Sequence, residues 1–138
     1  MYRMCLVNPD QRSLQRILWR ENPDSPIEIF ELATITYGMS AAAFLAIRCL
    51  HHIGLECSEE SPVISDVIKN HFYVDDFLSG GDSIDDAIFI ANEVTRYLKK
   101  GCFELRKWIS NSPEILAHIQ FNEKLDIIDF GARENHKR

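Results

Sequence analysis

Asp75 and Asp76 are adjacent carboxylates within His71-Phe72-Tyr73-Val74-Asp75-Asp76-Phe77-Leu78, a stretch that reads as strand, tight polar turn and strand. Neighbouring residues of a strand point to opposite faces, so the pair converges on one point only where a turn reorients it; a hairpin tip allows that. Two carboxylates held together repel and raise each other's pKa. A divalent cation that prefers hard oxygen ligands, naturally magnesium, removes this cost. Two such ions a few ångströms apart can activate an attacking hydroxyl and stabilise leaving pyrophosphate oxygens, the chemistry of phosphoryl or nucleotidyl transfer, and this needs a further carboxylate from another strand. Aspartate is also favoured in turns for backbone hydrogen bonding alone, so the surrounding sequence must decide.

The elements around the pair are legible from caps and periodicity. Asn8-Pro9-Asp10 is a cap-and-proline start for a short helix through Gln11 to Arg16. Ile17-Leu18-Trp19 and Ile27 to Leu32 read as two strands of a hairpin around the turn-rich Asn22 to Pro26. From Ser40, the run Ala41 to Leu50 predicts a buried helix, with Gly54 near its end. After a polar loop over Glu56 to Glu60, Ser61-Pro62 opens a second helix in which Val63, Val67 and Ile68 share a face, ending near Asn70. A third helix is capped by Asp82 or Ser83, carries Asp85 and Asp86 in its first turn and Lys99 and Lys100 in its last, and stops at Gly101; its buried stripe is Ala87, Ala91, Val94 and Leu98. Phe103 to Ile109 reads as a strand with Phe103, Leu105 and Lys107 on one face, and Ser110 to Glu114 opens a short helix through Ile119. This order predicts an α+β fold with helices on one face of a mainly antiparallel sheet, followed by a polar tail from Arg133.

Composition sets the frame. At 138 residues there is room for one core, and 46% apolar with 26% charged residues is ordinary for a globular domain. No apolar run approaches the roughly 20 residues that span a bilayer, and the Met1 end lacks a signal-peptide pattern, so an intracellular, cytoplasmic location is expected. Cys5, Cys49, Cys57 and Cys102 form no C-x-x-C pair and read as reduced, mostly buried thiols. Cys49, His51, His52 and Cys57 have zinc-ligand chemistry but lie on a helix and its exit, without finger-type spacing. A net charge of -6 argues against a basic nucleic-acid surface, although a metal-dependent centre must itself be acidic.

Tyr73-Val74-Asp75-Asp76 matches the Y-x-D-D box of reverse transcriptases. Upstream, Thr36-Tyr37-Gly38-Met39-Ser40-Ala41-Ala42-Ala43-Phe44-Leu45 resembles the block preceding their palm helix, where glycine and small residues let template and nucleotide approach the backbone. Downstream, Gly101-Cys102-Phe103-Glu104-Leu105-Arg106-Lys107-Trp108-Ile109-Ser110-Asn111 is similar to the G-F-x-L-R-K-W-x-S-N stretch of Pao/BEL long-terminal-repeat retrotransposons. With Pro9-Asp10, Gln15 to Arg20 and Pro26-Ile27, the resemblance covers roughly residues 1–119, leaving 120–138 as connector and tail.

The resemblance implies a polymerase palm with part of the fingers, a fragment of an RNA-directed DNA polymerase that uses two Mg2+ ions, an RNA or DNA template-primer and deoxynucleotides. In the family it lies in a polyprotein with protease, ribonuclease H and integrase parts, to which nothing here is similar. Asp75 would bind both ions and Asp76 support the site; Tyr73 and Val74 would flank the primer end; Tyr37 and Gly38 would belong to the nucleotide pocket; Lys107 would protonate pyrophosphate. Tyr2 matches the aromatic gate against the ribose 2'-hydroxyl, a core aromatic being the alternative. The family's first catalytic aspartate would lie about four residues before Met1, so this chain is expected not to polymerise alone. Asp10, Asp66 and Asp82 sit in helix starts or on helices and are poor substitutes. Ala41 and Ala43 stand where serine and proline are common in the family, which bears on the nucleotide pocket. The alternative is a non-enzymatic retroelement remnant, a nucleic-acid-binding or protein-interaction module.

Overall fold

The computed structural model describes residues 1–122, with side chains to residue 119. The polar tail from Arg133 and most of the expected connector lie outside the described residues. The chain begins with a 3-10 turn, Tyr2–Met4, and a longer 3-10 stretch, Pro9–Leu14, whose start is capped by the Asn8 side chain accepting from the Asp10 amide at 3.1 Å. Strands β1 (Arg16–Trp19) and β2 (Glu28–Glu31) form an antiparallel hairpin with Ile17 opposite Phe30 and Leu18 opposite Ile29. Helices α1 (Ala42–Glu56) and α2 (Pro62–Asn70) follow, then a minimal hairpin of β3 (Phe72–Tyr73) and β4 (Asp76–Phe77), then α3 (Ile84–Lys100) and α4 (Pro113–Asn122).

The core lies where α1, α2 and α3 meet. Leu50, Ile64, Ile68, Val94 and Leu98 are each 2% exposed or less. Complete burial of such a side chain stabilises by about 1.5–3 kcal/mol. Gly54 is buried in the last turn of α1, near its end as expected. A Cβ there would come within 2.9 Å of Lys69 Cγ and 3.3 Å of the Ser65 carbonyl, so its role is to let α2 approach. The buried arc of α2 is Ile64, Val67 and Ile68 at i, i+3 and i+4; Val63 is exposed, one position off the expected stripe. Helix α1 is also less buried than its composition suggests: Ala42, Ala46, Leu50 and Ile53 face the core, while Phe44, Leu45 and Ile47 are exposed.

Mixed helix and small antiparallel sheets give the α+β class, but among the described residues the two hairpins pair only within themselves and do not join into one sheet. Phe103 to Ile109 is not a strand either. Lys107 at φ 59 breaks the alternation that would have put Phe103, Leu105 and Lys107 on one face. Phe103 is buried, Leu105 packs against the core and Trp108 meets Phe77, so the segment is anchored by side chains without strand pairing. Among the described residues, no helix is long and apolar enough to cross a membrane.

Candidate functional site

The site is built on the β3–β4 hairpin. Phe72 pairs with Phe77 and Tyr73 with Asp76, which leaves Val74-Asp75 as a two-residue turn. Such tight loops require a left-handed backbone at the first central residue to match the twist of the strands, and Val74 supplies it at φ 57. For a β-branched residue this conformation is a steric outlier, costing on the order of 1–2 kcal/mol. The surroundings hold the turn in place. The Leu78 amide donates to the His71 carbonyl at 2.9 Å, and His71 Nδ1 hydrogen bonds Ser79 Oγ at 2.8 Å.

Alternation then separates two faces. Phe72 and Phe77 stack at 5.0 Å between ring centroids, pack against the core, and Phe77 meets the edge of Trp108 at 6.2 Å. Tyr73 and Asp76 lie on the opposite, exposed face. Asp75, at the tip, lines a recess of about 210 Å³ with Met1, Tyr2 and Tyr37. Tyr2 meets Tyr37 edge to face, with centroids 4.8 Å apart and planes inclined by 71°. Tyr2, Tyr37 and Asp75, from distant parts of the sequence, therefore line one recess.

The other candidates fall around it. Gly38, directly after Tyr37, has φ 87 and nothing within 4 Å of a would-be Cβ, so glycine is needed there for conformation, and the space beside it is open. Asp76 does not line the recess, and neither does Lys107, which is exposed on the irregular segment just before Trp108. The proposed substitutes for a third carboxylate are elsewhere: Asp66 on α2 accepts from Asn70 at 2.8 Å, Asp10 is in the 3-10 stretch, and Asp82 borders a different cleft. Among the described residues, no three His, Cys, Asp or Glu side chains gather in a group able to hold a metal. The zinc arrangement is overturned on the same ground. Cys57 is buried with its thiol on the Gly54 carbonyl, His52 is exposed beside Glu56, and Cys49 packs toward Cys5.

A cleft of about 540 Å³ lies away from the aspartates, between the start of α3 and α4, bordered by Ser79, Ser83, Trp108 and Ile115. No family model, curated protein or solved structure matches this chain. The assignment of the recess thus rests on its own residues. Sequence reasoning overlooked Met1 as a lining residue of the recess and Trp108 as the brace beneath the hairpin, and it set the turn on the two aspartates, one residue late: the turn is Val74-Asp75, and Asp76 opens β4 opposite Tyr73.

Proposed function

We propose that the chain is a piece of a reverse-transcriptase palm of the Pao/BEL type, in which Asp75 and Asp76 supply two of the carboxylates of a magnesium site for nucleotidyl transfer. The observation that carries this reading is the shared recess of Tyr2, Tyr37 and Asp75 beside the open backbone at Gly38. An aromatic pair at one side and a carboxylate at the other suit a sugar ring and a metal-bound phosphate. The donor set fits magnesium, which is commonly held by one or two carboxylates with water completing its shell. When bound, the ion supplies positive charge to offset that of the phosphates. The hairpin's part is to present Asp75 at its tip and Asp76 next to it at the start of β4, braced by Phe72, Phe77 and Trp108, and the tyrosines' part is to position and exclude by shape. Lys107 is the acid candidate by resemblance, and the reading requires it to approach the hairpin from its place next to Trp108. A third carboxylate has to come from outside the described residues.

The direct test uses Mn2+ as a spectroscopic substitute for Mg2+. Titration of the chain followed by electron paramagnetic resonance should show a site competed by Mg2+ and weakened at least about ten-fold in Asp75→Asn and in Asp76→Asn. Unchanged Mn2+ affinity in both variants would sink the metal assignment, and with it the polymerase reading.

A further inference from the structure

The β3–β4 hairpin has little of its own to hold it closed. Each strand has two paired residues, and an isolated two-stranded hairpin is marginal even when longer. Two features act to open it: the left-handed backbone of Val74 at φ 57 and the repulsion between neighbouring Asp75 and Asp76. The brace of Phe72, Phe77 and Trp108 opposes them from one face. Apolar contact of this kind is non-directional, so it does not by itself fix how far apart the two legs stand.

Directional contacts come at the root. There the Leu78 amide donates to the His71 carbonyl at 2.9 Å, and His71 Nδ1 and Ser79 Oγ are hydrogen bonded at 2.8 Å. The second bond joins side chains from the two flanks of the hairpin and extends the ladder past its last backbone bond. Ser79 is also the last side chain before α3 takes hold of the chain. Gly80 stands in open space, and Gly81 is seated against α3, where a Cβ would come within 2.6 Å of Asp86 Cβ. The two legs are therefore tied to each other at His71 and Ser79, directly below the carboxylates they carry. Legs that splay there carry Asp75 away from the recess it shares with Tyr2 and Tyr37.

We infer that His71 and Ser79 are a positioning pair for the acidic hairpin: their hydrogen bond sets the spacing of its legs and so the placing of Asp75 and Asp76 on a shared cation. The inference rests on the magnesium reading above. Neither side chain is a ligand in it; both act through the backbone.

Mn2+ titration followed by electron paramagnetic resonance, together with amide hydrogen exchange at Leu78, tests it on the full chain. His71→Ala and Ser79→Ala should each speed Leu78 exchange and weaken Mn2+ binding about five-fold, the worth of one net hydrogen bond. The double variant should lose no more than either alone, since both substitutions remove the same bond. His71→Asn should restore both readouts, because its amide sets a donor or an acceptor at the place of Nδ1, whereas His71→Gln, one carbon longer, should not. A loss in His71→Ala that Ser79→Ala does not share makes the imidazole a ligand and overturns the inference. Parent Mn2+ affinity in both alanine variants also overturns it and leaves the assignment of the aspartates standing, while a parent chain with no Mn2+ site removes that assignment and this inference together.

Discussion

Gly101 and Cys102 divide between them a task usually given to one glycine. At the end of α3 the Phe103 amide donates to the Leu98 carbonyl at 2.9 Å and the Cys102 amide to the Lys99 carbonyl at 3.1 Å, a Schellman arrangement in which Cys102, at φ 62, is the left-handed residue. Glycine stands one position earlier, at φ -89, because any side chain there would collide with Ile53 of α1. The two positions should respond oppositely to substitution. Cys102→Gly relieves the left-handed strain and should raise unfolding free energy by about 1 kcal/mol in urea titrations, whereas Gly101→Ala should lower it by about 1–3 kcal/mol through overpacking against Ile53. Destabilisation by Cys102→Gly would contradict the capping geometry. The glycine just past a run of lysines marked the helix end correctly in the sequence, but not its reason, since the Ile53 contact comes from a helix far back in the chain.

Helix starts were readable because capping is local. Asn8-Pro9, Ser61-Pro62 and Ser83 each open a helical stretch, and Ser83 Oγ accepts from the Asp86 amide at 3.1 Å. The strand expected over Phe103 to Ile109 failed because a strand is defined by a partner, which no local pattern reveals. Another contact invisible in the sequence joins the α1–α2 loop to α3. Glu60 receives Arg96 Nη2 at 3.2 Å, and Arg96 also holds Glu93 at 2.7 Å. The neighbouring Tyr97 hydroxyl, and then Arg96, lower the Glu60 carboxyl below its usual value of 4.5. A carboxyl with a lowered folded-state pKa contributes stability that is present above its unfolded value and lost as pH falls through the folded one. Glu60→Gln should therefore flatten the acid limb of stability below about pH 4.5 and leave the slope near neutrality unchanged, as thermal melts across pH would show; an unaltered acid limb would remove Glu60 from the account.

At the level of the whole molecule, burial sorts the four thiols, which were expected to be reduced and mostly buried. Cys5 and Cys57 are buried, Cys49 is half-buried and Cys102 is exposed. Burial, with the neighbouring Cys49 adding to it, pushes the Cys5 thiol up to about 12, and burial raises Cys57 as well. Reaction of the native chain with a thiol-specific chromogenic disulfide should modify Cys102 first and leave Cys5 and Cys57 until unfolding; rapid native labelling of Cys5 would show that the core is open there. The hairpin was legible because its motif is contiguous, though its turn falls one residue earlier than expected, and the recess was legible only in part, since its lining includes Met1, Tyr2 and Tyr37. That junction depends on how the first residues return to the body. The Val7 amide donates to the Ala33 carbonyl and the Ile35 amide to the Cys5 carbonyl, with Leu6 bridged to Thr34. The lobe between is tied to the body a second time, where the Thr36 hydroxyl donates to buried Gln15 Oε1 at 3.2 Å, so its outer turn around 20–27 is free to diverge in length and sequence, whereas a change at Gln15 is felt one residue from Tyr37.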